Sequence, residues 1–134
     1  MMIIVDSNIL IFSESANTPE HNIALSKFQD ALRQDDIGIN VIIASEVFHR
    51  LQWLLGKTEA TIRVSRIITA PRVSYLEFSS SSIAKAMALC RDFGLRINDA
   101  LIAQQALESG ASLLTDNIKD FGKIATVKLI PLRS

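Results

Sequence analysis

The chain has 134 residues, enough for one domain whose core needs no disulfide or metal staple. Apolar residues make up 49% and charged ones 21%, which excludes a disordered tail or linker. The formal net charge is +0 and there is a single cysteine, so nucleic-acid binding has to come from a local patch and an internal disulfide framework is excluded.

The chain starts with Met1-Met2-Ile3-Ile4-Val5-Asp6-Ser7-Asn8. A run this short, unbroken and β-branched suits a strand buried on both faces. It ends on Asp6, which puts an acid at the strand's carboxyl end, where open α/β sheets hold their ligands. Asp6-Ser7-Asn8 is also a helix-starting cluster, and capping alone explains it unless other acids fall at equivalent places. Ile9 to Phe12 forms a short helix, and Glu14 to Asn17 a loop. Thr18 caps the next helix, with Pro19 at its first position and Ile23, Leu25, Phe28 and Leu32 as its apolar stripe. Ile37 to Ile43 is a second strand, with Gly38 and Asn40 weakening its edges.

Ser45 caps a helix that carries Glu46, keeps an apolar period through Val47, Phe48, Leu51, Leu54 and Leu55, and ends at Gly56. Thr58 caps a further helix to about Thr69, with Ile62, Ile67 and Ile68 inward, and Pro71 stops it. Val73 to Phe78 is a third strand. Ser79 to Ser82 make a loop and cap. Ile83, Met87 and Cys90 share one stripe of the helix that follows, which ends at Gly94. Asn98 caps another helix, with Asp99 in its first turn. Ala111 to Thr115 is a fourth strand, residues 116–122 a turn or short helix, and Thr126 to Ile130 a fifth strand. Alternating strands and helices predict a three-layer α/β domain over residues 1–134, built on a five-stranded parallel sheet with the first strand central. The N-terminal apolar run is too short, and lacks the basic lead, for a signal peptide, and no run reaches membrane-spanning length. A cytoplasmic protein is expected.

Four acids lie at strand ends or helix starts: Asp6, Glu46, Asp99 and Asp116. Right-handed crossovers put parallel strand ends on one rim, so these groups can converge. Like charges in one cleft raise each other's pKa values, and a divalent cation relieves the repulsion. Oxygen ligands with no cysteine or histidine among them suit Mg²⁺ or Mn²⁺ rather than zinc. Phosphoryl displacement is the chemistry such a site serves.

At these positions the chain resembles a known family. Val5-Asp6-Ser7-Asn8, then Ala44-Ser45-Glu46-Val47, then Asn98-Asp99-Ala100-Leu101-Ile102-Ala103, then Leu113-Leu114-Thr115-Asp116-Asn117 with Lys119-Asp120-Phe121, stand in the order and spacing of PIN domains. The likeness is to the small single-domain type that includes VapC toxins, and it covers nearly the whole chain. It implies a Mg²⁺- or Mn²⁺-dependent ribonuclease with Asp6, Glu46 and Asp99 as metal-site acids. The family's fourth place, Thr, any residue, then Asp or Asn, falls on Asn117, with Asp116 at the variable position; either is a candidate metal ligand. Ser7 stands where the family often has Thr. Expected substrate contacts are Ser7, Asn8, Arg50 and Thr115. Expected partners are RNA, a cognate antitoxin and a second copy of the chain, with no membrane.

Several residues have plainer explanations. His21 and His49 are expected at the surface or an interface. Arg50, one turn beyond Glu46, is expected to pair with it. Arg63, Arg66 and Arg72, with Lys57, form the densest basic stretch, either a backbone contact for RNA or a solvated helix face. An exposed share of Trp53 would mark a dimer surface. A haloacid-dehalogenase-like phosphatase would need an acid where this chain has Asn8, a receiver domain would need paired acids after the first strand, and no glycine-rich phosphate loop occurs. The competing function is a PIN-like binding module with weak or lost cleavage. Cleavage by water that the cation activates, leaving a 5′-phosphate and a 3′-hydroxyl, is the expected reaction.

Overall fold

The structure, a computed structural model, describes residues 1–133. Its elements run β1 (Met2–Val5), α1 (Ser7–Glu14), α2 (His21–Gln34), β2 (Asp36–Ile39), α3 (Val41–Leu55), α4 (Lys57–Ile68), β3 (Val73–Tyr75), α5 (Ser80–Phe93), α6 (Ile97–Ser109), β4 (Ser112–Thr115), α7 (Ile118–Phe121) and β5 (Lys128–Pro131). The strands form one parallel sheet in the order β3-β2-β1-β4-β5, with β1 central as expected. Ile4, Val5, Ile37, Ile39, Leu113 and Leu114 are buried, which is why these short runs lack the alternation of a half-exposed strand. α1 packs on α2 and α3, and α3 on α4; α5 packs on α6, and α6 on α7. Right-handed crossovers place these two groups on opposite faces, because the chain travels one way across the sheet from β1 to β3 and the other way from β3 to β5. Among the described residues no helix is long and apolar enough to cross a membrane.

Gly38 lies inside β2 under close-packed side chains rather than at a weak edge. A Cβ there would lie 2.8 Å from the Leu76 side chain and 2.9 Å from the Met2 sulfur, so a larger residue would have to push these side-chain ends aside. Gly94 and Gly110 end α5 and α6 in the left-handed conformation (φ 69° and 63°).

Several helix starts differ from expectation. β2 ends at Ile39, and α3 begins at Val41 with Asn40 as its cap, the Asn40 side chain accepting from the Ile43 N–H at 2.9 Å. Glu46 therefore sits in the second turn, and Ser45 caps nothing. Val41-Ile42-Ile43 looks like strand because its residues are apolar, yet it is the first turn of a helix. Thr18 donates back to the Ser15 carbonyl instead of capping α2. Gly56 and Arg96, not Thr58 and Asn98, precede α4 and α6, and neither start has a side-chain cap. Ser79 does cap α5, accepting from the Ser82 N–H. Some expected core positions face outward: Ile23, Ile62, Ile68, Ile83 and Met87 are exposed.

Candidate active site

The order of the strands reverses between β1 and β4, and parallel α/β sheets open a crevice at the carboxyl ends of such a pair. Asp6 ends β1 and Thr115 ends β4. The sheet pairing continues to this point, the Asp6 N–H donating to the Leu114 carbonyl at 2.9 Å. Asp6 is only 4% exposed. Its carboxylate accepts from the Ser7 backbone N–H (2.8 Å), the Thr115 hydroxyl (2.6 Å) and the Asn8 side-chain amide (3.2 Å). Asp6 is therefore the cap of α1, as a plain structural explanation requires, and it also faces the other acids.

Burial pushes the Asp6 carboxyl up to about 6. The bonds from Thr115 and Ser7 hold it down in part, and the charges of Glu46 and Asp99 add to the rise. Asp99, in the first turn of α6, is also raised, chiefly by burial. Arg96, 3.7 Å away, opposes that rise, and Glu46 and Asp120 reinforce it. The Ser7 hydroxyl donates to Glu46 at 3.1 Å, tying α1 to α3. Three elements thus bring Asp6, Glu46 and Asp99 close enough to repel one another at the carboxyl edge of the sheet.

The remaining candidates divide. The Thr115 hydroxyl donates to Asp6 and accepts from the Asn117 N–H at 2.9 Å. Asn8 bridges the two strand ends, donating to Asp6 and accepting from the Asp116 N–H at 3.2 Å. Asn117 caps α7, its side chain accepting from the Asp120 N–H. Asp116 is gripped by Arg133 through two bonds of 3.0 Å, and Arg133 also bonds Glu20 at 2.9 Å. The acid of this segment that acts on Asp99 is Asp120, which the sequence offered only as part of a motif. Its signal was the spacing: an acid three residues after the cap of a single helical turn.

Arg50 does not pair with Glu46, and among the described residues it has no carboxylate partner. Arg63 is committed to Glu59 and to the Glu14 carbonyl, and Arg72 to Asp36, so this part of the basic stretch is structural. His21 bonds the Phe12 carbonyl at 2.8 Å, whereas His49 lines a cleft. Glu46 stands between two openings. One, of about 380 Å³, is lined by Ser7, Asn8, Ile11, Phe12, Glu46, His49 and Arg50. The other, of about 340 Å³, is lined by Glu46, Arg96, Ile97 and Asn98.

All the charged donors at the acid cluster are oxygens, and their mutual repulsion inside a partly dry crevice is what a hard divalent cation relieves. Among the described residues no three carboxylate, imidazole or thiolate side chains stand close enough to grip one ion together as placed. The fit lies in the donor chemistry and the charge, not in a preformed cage.

The PIN domain family model matches residues 3–127. No curated protein matches the sequence. Similar solved structures include VapBC2 from Rickettsia felis bound to a DNA fragment from its promoter (22% identity, 98% of each chain covered, TM-score 0.76) and VapBC-1 from nontypeable Haemophilus influenzae (19%, 100% of each, 0.77). Another is VapC20 from Mycobacterium tuberculosis, a sarcin-ricin loop cleaving toxin (14%, 91% of this chain and 96% of that one, 0.76). At these identities the likeness is one of fold.

Proposed function

The chain belongs to the PIN domain family, and on that footing we propose that it is a ribonuclease that uses Mg²⁺ or Mn²⁺, the toxin of a toxin–antitoxin pair. The observation that carries this reading is that Asp6, Glu46 and Asp99 stand within repulsion range of one another at the switch between β1 and β4, with burial chiefly, and that repulsion in part, raising Asp6 to about 6. Asp6, Glu46 and Asp99 would hold the cation, with Asp116, Asn117 or Asp120 at the rim. A bound divalent cation supplies charge to polarise a phosphate and to make water a better nucleophile.

The chain's own residues do the rest. Thr115, Asn8 and the Ser7 N–H fix the Asp6 carboxylate in one orientation, and the Ser7 hydroxyl does the same for Glu46. Arg50 offers an unpaired guanidinium to a backbone phosphate one helical turn from Glu46. The only imidazole lining these clefts is His49, whereas activation of a 2′-hydroxyl calls for a general base and a general acid together. Attack by water rather than by the 2′-hydroxyl, leaving a 5′-phosphate and a 3′-hydroxyl, is the reaction we propose. An unstacked segment of RNA is the substrate that can enter, because a duplex hides its bases.

An antitoxin partner is supported by the fold's likeness to VapBC proteins. A second copy of the chain is supported by apolar surface at Trp53, Leu54 and Leu55. The deciding experiment is product analysis on a synthetic RNA with Mg²⁺ or Mn²⁺ and an EDTA control. Cleavage to 5′-phosphate ends that stops in EDTA is expected. A 2′,3′-cyclic phosphate, or cutting in EDTA, overturns the reading, and no cutting under any condition leaves the binding-module alternative.

A further inference from the structure

The two clefts that meet at Glu46 differ in chemistry. The Arg96 side is polar, and its one cation already leans on Asp99 at 3.7 Å. The other side has an apolar wall made by Ile11 and Phe12 of α1, both only partly buried. His49 and Arg50 of α3 stand on its rim, and Ser7 and Asn8 lie at its inner end, against the acids. A cation alone has no use for an aromatic wall. An apolar peptide side chain has no use for an unpaired arginine and a histidine. A nucleotide uses both, and an aromatic wall beside a free cationic side chain is a combination by which single-stranded nucleic acid is held.

We propose that the Phe12 cleft is a nucleobase subsite, which takes one unstacked base of an RNA strand immediately beside the phosphate at the acid cluster; this rests on the ribonuclease reading above. The base lies against Phe12 and Ile11. Arg50 and His49 donate to its edge or to the flanking phosphate. The opening, about 380 Å³, is large enough for one base with its sugar, and a base can reach the Phe12 face only when it has left its own stack. Because every base has a π face, stacking here sets position more than sequence, and any sequence preference comes from Arg50 and His49.

The test uses the full chain and single-stranded RNA decamers in which 2-aminopurine is stepped through each position. In EDTA, one position is expected to show a fluorescence rise that the others lack, because its base leaves the stack of neighbouring bases for the Phe12 wall. Making that position abasic is expected to weaken binding about tenfold, as loss of one stacked base does. Phe12→Leu, which keeps apolar bulk where Phe12 also packs on the core, is expected to diminish that rise and weaken binding of the intact strand but not of the abasic one, and Arg50→Ala to weaken binding at every position. With Mn²⁺, the abasic substitution is expected to raise KM and leave kcat nearly unchanged. Abasic RNA bound and cut like its parent, with the same fluorescence change everywhere, overturns the subsite and leaves the ribonuclease reading standing; a side chain of a protein partner is then the remaining occupant. A position-specific rise from a protein that cuts no RNA supports the subsite and overturns the ribonuclease reading instead.

Discussion

At the scale of single residues, Asp6 decides how the fold responds to pH. Its pKa is about 6 in the folded chain against 3.8 for a free side chain. An acid with a raised folded pKa holds its proton more tightly when folded, so folding is penalised as pH rises from about 4 to about 6, and the penalty persists above that. The difference corresponds to roughly 3 kcal/mol. Asp6→Asn removes the charge and keeps an oxygen for the Ser7 N–H, but turns an amide N–H toward the Asn8 amide and the Thr115 hydroxyl, a cost that does not change with pH. Relative to the parent it is expected to gain about 1–3 kcal/mol of stability between pH 4 and pH 8. Urea denaturation of both proteins across this range checks it, and a gap that does not change with pH would refute the assignment. Mg²⁺ is expected to raise the Tm of the parent but not of Asp6→Asn. A second residue-scale comparison addresses the rim of the site. Arg133 neutralises Asp116, whereas Asp120 acts on Asp99. Asp120→Asn is therefore expected to weaken Mg²⁺ binding about tenfold and Asp116→Asn to leave it within about twofold, read by calorimetry. The reverse ranking would return the fourth position to Asp116.

At the scale of elements, the placement of Glu46 relative to Asp99 depends on a buried amide chain that is remote in sequence. Asn40, fully buried, caps α3 and donates to the Gln105 side chain of α6 at 2.7 Å, and Gln105 donates on to the Glu77 carbonyl. Gln105→Leu leaves the Asn40 amide unpaired in the interior and is expected to cost about 2–3 kcal/mol. Adding Asn40→Ser keeps an oxygen for the cap and removes the orphaned N–H, so the double variant is expected to recover most of the loss. Denaturation midpoints of the four proteins test this, and additive losses would refute it. The same chain shows what the sequence conceals. The parallel sheet with its first strand central was legible because burial on both faces writes continuous apolar runs, and the positions of Asp6, Glu46 and Asp99 near strand ends and helix starts were legible because those ends punctuate the runs. The starts of α3, α4 and α6 were not. A cap is fixed by where the chain leaves the sheet, and Asn40 is a cap because Gln105, sixty-five residues later, holds it there. The pairing of Asp116 was hidden for a similar reason: its partner, Arg133, lies beyond the last strand.

At the scale of the whole molecule, two helical surfaces each carry neighbouring exposed apolar residues. Trp53, at 77% exposure, stands with Leu54 and Leu55 at the end of α3, and Ile62 lies on α4, the helix packed against it. Ile83 and Met87 stand on the outer face of α5, one turn apart. The α5 stripe was expected to turn inward, and its spacing alone had no means of fixing which face meets the sheet. A tryptophan so exposed, among other apolar residues, is the kind of group that anchors an interface. The expectation is a homodimer through the Trp53 surface. Trp53→Asp is expected to weaken dimerisation by at least about thirtyfold, the loss typical of a buried anchor, while circular dichroism stays close to that of the parent because the side chain adds little to the core. Light scattering across a dilution series measures it. Met87→Asp, the matching change on α5, is expected to leave the mass unaltered. If Met87→Asp yields monomer and Trp53→Asp does not, the copies meet through α5, and the Trp53 surface is left for a different partner. A parent that is monomeric at micromolar concentration removes the dimer altogether.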